Sequence, residues 1–558
     1  MLLHPKRNTE QRTGNWELGT GNGEQQKVSD SAALAERSTD SMPSGRKAVV
    51  LLVVLVLVMV LALAGYRYAD MMMAEFEASD NAARVAQAKA LADSGINYVA
   101  ALLSNPEQVQ AVLNNNVYDN PDFFRLKSIF PDELSRYQGR FSVIAPPIPS
   151  QVNANNLAFR FGVTDESGKI NLNAMIKLDP SGDKLFELLK KLPLMEEQIA
   201  AQIVDWLDAD SEVREGGGAE NETYGAMEVP YSCKNGPLDS IEELLLIQDV
   251  TPELLYGNDL NRNGLIELSE QNAQIQQDPL MQMGWSAYLT IYSREQNITF
   301  NQFKTLTNTA KPKILLSEKD LDSMYKRLSA ETNPQLANYI ALYRINSGRS
   351  ATTDPANTLD PSEAEIDTSS RPRGRIRSIY DLIDTEVRVS GSGRDDPSKT
   401  YACPLNTPEG QRENMAVLFD TVTTTDKMEL PARININTAP EAVLATLPGL
   451  EENDLQTILA KRPPLGSDQW EQTTWQSPAW IATEAEIDIE KVEDLEEFIT
   501  TRSQVYRVHV IGHFLEGGPA VHIEAVIDTN AGRPRILYRR DMTILGRTFD
   551  WASLGQNE

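Results

Sequence analysis

Residues 48–65 read AVVLLVVLVLVMVLALAG, eighteen positions without a charge or a polar side chain, directly preceded by Arg46 and Lys47. An unbroken apolar run of about 18 or more residues is long enough, as a helix, to cross a bilayer. The basic pair on its N-terminal flank keeps that flank in the cytoplasm by the positive-inside tendency, so the rest of the chain is exported. A cleaved secretory signal has a shorter apolar core nearer the N-terminus, which favours a retained anchor. Residues 1–45, rich in Ser, Thr, Gly, Asn and Gln, read as a disordered cytoplasmic leader. Beyond Gly65 the helical signal continues through AEFEASDNAARVAQAKALADSGINYVAALL to Pro106. A continuous helix from 48 to 105 would be roughly 85–90 Å long at 1.5 Å per residue. A membrane helix running straight into an Ala-rich soluble spine suits a filament subunit better than an anchored enzyme.

The chain is 558 residues long with formal net charge −28, enough for several domains. The first 47 residues hold seven Lys/Arg and six Asp/Glu, so the exported part carries about −29. Such acidity repels phosphate backbones and argues against nucleic acid as a partner. Cys233 and Cys403 are the two cysteines, and their spacing leaves pairing open.

The expected fold is α+β: the long N-terminal membrane and spine helix, an antiparallel sheet, and a large inserted, mostly helical domain. The divisions are 46–112 for the membrane segment and spine, and 113–180 for the first part of the α/β domain. A helical insertion with acidic loops follows at 181–285, then a further insertion at 286–430 containing a loop at 347–374. Region 431–500 is helical, and C-terminal strands close the α/β domain at 501–548. SQVYRVHVIGHF, AVHIEAVID and PRILYRRDM carry those strands, separated by Gly/Pro turn signals. Ser240 and Glu243 form a capping box ahead of IEELLLI.

The sharpest chemical motif is DLNRNGLIELSE at 259–270, which meets every position of the calcium-loop pattern D-x-[DN]-x-[DN]-G-x5-E. Asp259, Asn261 and Asn263 offer side-chain oxygens at alternate positions, Leu265 its carbonyl, Glu267 a water-mediated contact and Glu270 a bidentate carboxylate, while Gly264 allows the turn. A second acidic group, Asp205, Asp208, Asp210, Glu212, Glu220 and Glu222, surrounds Gly216, Gly217 and Gly218. Carboxylates this dense repel one another unless a cation intervenes; a solvated acidic loop is the alternative. His509, His513, His522 and Glu524 carry zinc-type donors on two predicted strands, though strand histidines without metal are far commoner. ININTAPEAVLATLPG at 434–449 with its following helix resembles a helix-hairpin-helix module. Glu451 and Glu452 stand where phosphate would approach, so a structural use is expected. No G-x-S-x-G, P-loop or H-E-x-x-H pattern is present, and no catalytic residue is assigned.

These stretches together resemble the GspK family, the large minor pseudopilins of type II secretion systems. The likeness rests on the apolar helix with ALADSGINYVAALL, SGKINLNA, the block from IVDWLDAD to DVTPELLYG, ARININTAPEAVL, and YRVHV…EAVID…PRILYRRD. The resemblance implies a non-enzymatic subunit near the tip of a periplasmic pseudopilus, single-pass in the inner membrane and binding calcium. It implies other minor pseudopilins and the major pseudopilin as partners, and processing by prepilin peptidase, for which Gly45 is the candidate cleavage residue. Three features depart from the family pattern. The leader is long, with Arg46 and Lys47 after Gly45 instead of apolar residues. Residues 286–430 separate the middle block from ARININTA, and the 259–270 loop lies just beyond LLYG. Cleavage after Gly45 would make Val50 the fifth mature residue, where most pilin-like subunits carry Glu. A tip subunit has no neighbour above it to pair with a carboxylate in lipid, so Val50 agrees with a tip position. The competing readings are a membrane-anchored DNA-binding competence protein and a calcium-stabilised envelope protein outside any filament.

Overall fold

The computed structural model describes residues 44–104, 109, 113, 116–130, 137–147, 159–266, 270, 281–299, 311–354, 357–390, 397–465, 467–530, 533–546 and 554. Residues 1–43 of the leader, and Glu267, lie outside them. Helix α1 (Ser44–Leu103) is unbroken over 60 residues, matching the length expected from the sequence. It is the one helix, among the described residues, long and apolar enough to cross a membrane. Gly45 falls at its first turn.

From Ala78 onward the chain forms one compact unit. Its sheet contains β1 (Lys127–Phe130), β2 (Gly139–Ile144), β3 (Thr164–Asp165), β4 (Val505–Phe514), β5 (Val521–Asp528) and β6 (Arg535–Asp541). The strand order is β1-β2-β4-β5-β6, with β3 also against β4, and every pairing is antiparallel. Three strands precede a long helical excursion and three follow it, so the sheet closes only when the chain on either side of that excursion meets.

The C-terminal half of α1 packs on this sheet because small residues let the backbones approach. A Cβ at Gly95 would lie 2.5 Å from Val510, and one at Gly512 would lie 2.6 Å from the Ala92 nitrogen. Ala88, Leu91, Ala92, Ile96 and Val99 are buried there with Phe141, Val510 and Ile523. Gly512→Ala is therefore expected to destabilise the fold by about 1–3 kcal/mol, the usual cost of overpacking. Urea unfolding of the detergent-solubilised protein measures this, and an unmoved midpoint would show that helix and sheet stand further apart.

The excursion builds a second core running from Ile170 to Ile499. Its helices include α2 (Leu172–Leu178), α3 (Asp183–Leu189), α4 (Glu197–Leu207), α5 (Asn221–Gly225), α6 (Pro252–Tyr256), α7 (Leu321–Glu331), α8 (Pro334–Asn346), α9 (Pro408–Thr421) and α10 (Glu452–Lys461). Helix starts follow side-chain capping: Asn171, Asp320 and Asn333 each accept a backbone N–H three residues on. The Ser240–Glu243 capping box forms, but the segment it opens is a 3₁₀ turn, Ile241–Leu246, in place of the expected α-helix. The two IN motifs play matching roles. Ile170–Asn171 pairs in parallel with Leu289–Thr290, and Ile434–Asn435 with Ile499–Thr500. Within 286–430 a hairpin of Thr385–Val389 and Lys399–Ala402 joins the helices, an element that carried no clear sequence signal.

Sheet and helical body meet across a polar seam. Glu166 and Arg507 pair at 2.7 Å, Arg507 also pairs with Glu524, and Thr290 donates to Glu166. Asp165 accepts from Asn435, Thr438 and Ser503. Leu265 is an apolar tie across the seam: it lies in the sheet core while Ile266 lies in the helical one.

Candidate functional site

Helix α4 is buried along nearly all its length and ends at Asp208, which caps it. Helical spacing puts Asp205 and Asp208, three residues apart, on the same side. The chain then turns through Gly216 and Gly217, with φ of +102° and +101°, values that Gly adopts without Cβ strain. At Gly218 any Cβ would collide with the Asp205 carboxylate. This path returns Glu220 to the end of α4, where one carboxylate oxygen each from Asp208, Asp210 and Glu220 lie within 4.8 Å of one another. Asn235, itself at φ +45°, donates to the Asp210 carbonyl and to Glu220 Oε2. Trp206 and Tyr224 pack edge to face at 5.1 Å and support α4 against α5.

The electrostatics of this cluster are unfavourable by itself. Burial, followed by repulsion from Asp210, Asp205 and Glu220, pushes the Asp208 carboxyl up to about 7. Burial likewise raises Asp205 and Glu220. Asp205, Asp208 and Glu220 are 0%, 4% and 3% exposed, and Asp205 Oδ1, Asp208 Oδ1 and Glu220 Oε1 have no hydrogen-bond donor. Buried acceptors without donors are costly. Hard oxygen donors at this spacing fit a divalent cation such as calcium, with Asp208, Asp210 and Glu220 as the residues that would hold it. Glu212 is not in that group of three; its backbone N–H donates to Asp210 Oδ1 at 2.8 Å. Asn235 was not legible as a participant, because it lies 25 residues from Asp210 in an unremarkable CKNG turn.

The 259–270 loop is wound on itself. Asp259 accepts N–H bonds from Asn263 and Gly264 at 3.0 and 2.8 Å, Asn261 from Asn263 at 3.0 Å, and Asn263 from Leu265 at 3.0 Å. Glu270 closes the circle by accepting from Leu260 and Asn261 at 3.1 and 3.3 Å. Gly264 has φ +80°, and a Cβ there would come within 2.7 Å of the His509 ring. Burial first, with help from the Glu270 charge, pushes the Asp259 carboxyl up to about 6.

His509 and His522 approach to 3.2 Å between ring nitrogens, while His513 turns to Ser142 and Glu524 is taken by Arg507. Among the described residues only Asp208, Asp210 and Glu220 bring three metal-type donors within 4.8 Å of one another; the histidines and Glu524 are not gathered in this way. Cys233 and Cys403 are separate buried free thiols; Cys233 Sγ–H faces the Asp205 carbonyl at 3.6 Å.

A long N-terminal helix whose C-terminal half packs on an antiparallel sheet, with a helical body inserted between the strands, is an α+β architecture. Residues 168–256 and 434–488 each match a family model described as type II secretion system (T2SS), protein K. These two segments are similar to that family. The chain is similar to the type II secretion system protein K of Pectobacterium carotovorum subsp. carotovorum, at 27% identity over 179 residues, 26% of this chain and 53% of that relative. The matched part thus spans about half of that relative's length. A solved structure described as the GspK-GspI-GspJ complex from the enterotoxigenic Escherichia coli Type 2 Secretion System aligns at TM-score 0.34 and 13% identity. It covers 84% of this chain and 98% of that one. The 205–220 cluster lies inside the first family segment, and the 259–270 loop begins just after it.

Proposed function

We propose that this protein is a non-enzymatic minor pseudopilin, held in the inner membrane by residues 48–65 with the following chain in the periplasm. It stands near the pseudopilus tip, contributes to pseudopilus initiation and supports protein export across the outer membrane. Two family segments lying in one folded body that follows a membrane-length helix carry this reading. Other minor pseudopilins and the major pseudopilin are its partners, and prepilin peptidase acts after Gly45. Val50, apolar where a carboxylate would need a neighbouring amine, supports the tip position. Calcium is a structural ion here, held by Asp208, Asp210 and Glu220 and, in a second loop, by Asp259, Asn261, Asn263, Leu265, Glu267 and Glu270. The orphaned carboxylate oxygens of the first group support that assignment. Affinity capture of the tagged full-length protein from membranes of a secreting host should recover other minor pseudopilins, and deletion should stop secretion. Capture of no pseudopilin together with undiminished secretion would refute the proposal.

A further inference from the structure

A cavity of about 810 Å³ lies along the polar seam between sheet and helical body. Four tyrosines and five arginines contribute to its walls, among them Tyr256, Tyr292, Tyr538, Arg262, Arg507 and Arg540. The Tyr292 and Tyr538 rings are 5.7 Å apart, the Arg507 guanidinium stands over Tyr292 at 5.6 Å, and that of Arg262 over Tyr256 at 4.9 Å. This group is drawn from α6, the loop after it, the segment after Leu289–Thr290, and two sheet strands. It therefore exists only in the folded chain.

Charge demand at these walls is uneven. Arg507 is shared by Glu166 and Glu524, and Arg540 faces Glu242 at 3.6 Å. Asp259 and Asp165 on the same walls are already supplied with donors. Arg262 is exposed and has no carboxylate partner among the described residues. The Tyr256 hydroxyl is buried without a hydrogen-bond partner, on a residue only 8% exposed. A buried hydroxyl and an uncompensated guanidinium stacked on the same ring both call for an acceptor, and the guanidinium calls for an anionic one. The cavity is far larger than a bare anion needs, and tyrosine with arginine is the composition enriched where proteins grip other polypeptides.

We propose that this part of the cavity binds an acidic side chain carried on an extended polypeptide segment. Its carboxylate would meet Arg262 and the Tyr256 hydroxyl, and its backbone would run along the tyrosine rings. Phenylglyoxal labelling of Arg262 in the full-length, detergent-solubilised protein, read by peptide mass mapping, tests it with acetyl-triglutamate amide as the probe. Labelling of Arg262 should slow at least threefold, while exposed Arg371 labels unchanged. In parallel, fluorescein-labelled triglutamate amide should bind Arg262→Gln at least fivefold more weakly than wild type by anisotropy. Unprotected Arg262, or equal binding by Arg262→Gln, would overturn the proposal. Equal protection by inorganic phosphate would identify a simple anion site, and equal protection by acetyl-trialanine a chain terminus; either outcome also overturns the acidic side chain.

Discussion

Chelating calcium is expected to lower the melting temperature of the full-length protein, and to lower it more near pH 8 than near pH 6. In the absence of a cation, Asp208 is held up to about 7 by burial and by the neighbouring carboxylates Asp210, Asp205 and Glu220. Its value in the unfolded chain is about 3.9. A carboxyl whose pKa rises on folding favours the folded state while it keeps its proton. That contribution is complete below the unfolded value and disappears as the pH rises through about 7. Above that point the chelated protein must keep a buried, repelling cluster charged, or unfold. Calcium bound there would replace the proton, so the loaded protein would escape the penalty. Binding to the folded state alone stabilises it by about 2.7 kcal/mol when free calcium exceeds Kd a hundredfold. Asp208→Asn should remove most of the response to chelation, while Asp259→Asn should remove only the share owed to the 259–270 loop. Thermal melts with and without chelator at both pH values decide the matter. Coincident curves at both, with no calcium by elemental analysis, would sink the assignment.

Arg507→Met should cost about 3–5 kcal/mol, the range for removing one partner of a buried ion pair. Arg507 spans Glu166, whose side chain is fully buried, and Glu524, whose side chain is 8% exposed. Burial opposes the Glu166 charge, yet Arg507 and Lys169 more than offset it and hold that carboxyl down to about 2. A depressed carboxyl stabilises the fold above its unfolded value of about 4.3, and that contribution drains away as the pH falls through about 2. Acid unfolding of the wild type should therefore draw partly on this seam, and Arg507→Met should shift its midpoint to higher pH. Adding Glu166→Gln and Glu524→Gln to Arg507→Met should recover part of the loss, because most of it comes from charges left unpaired. Urea midpoints of the variants measure both effects; a loss under about 1 kcal/mol for Arg507→Met would show that water or another cation serves Glu166.

Features written in local pattern were legible from the chain alone. The apolar run at 48–65 and the helix formers after it predict the 60-residue helix, because both lipid crossing and helix propensity are set by consecutive residues. The strand-like runs around Val508, Ile523 and Ile536, separated by Gly/Pro turn signals, predict the three C-terminal strands for the same reason. The acidic loops could be picked out by density, and Asp208, Asp210 and Glu220 do converge. Tertiary structure alone decided which oxygens meet. Glu212 sits two residues from Asp210 yet stays out of the group of three, while Asn235 arrives from a distant turn to reach Glu220. The Glu166–Arg507 pair spans 341 residues, and nothing in either neighbourhood names the other. Local sequence determines helix, strand and loop through short-range sterics and hydrophobic period. The orphaned carboxylates depend on the return of the chain through Gly216, Gly217 and Gly218 to the end of α4, and the buried polar seam and the tyrosine–arginine wall on closing a sheet whose halves lie on either side of a long helical excursion. Only these tertiary contacts remove the water that would otherwise satisfy them.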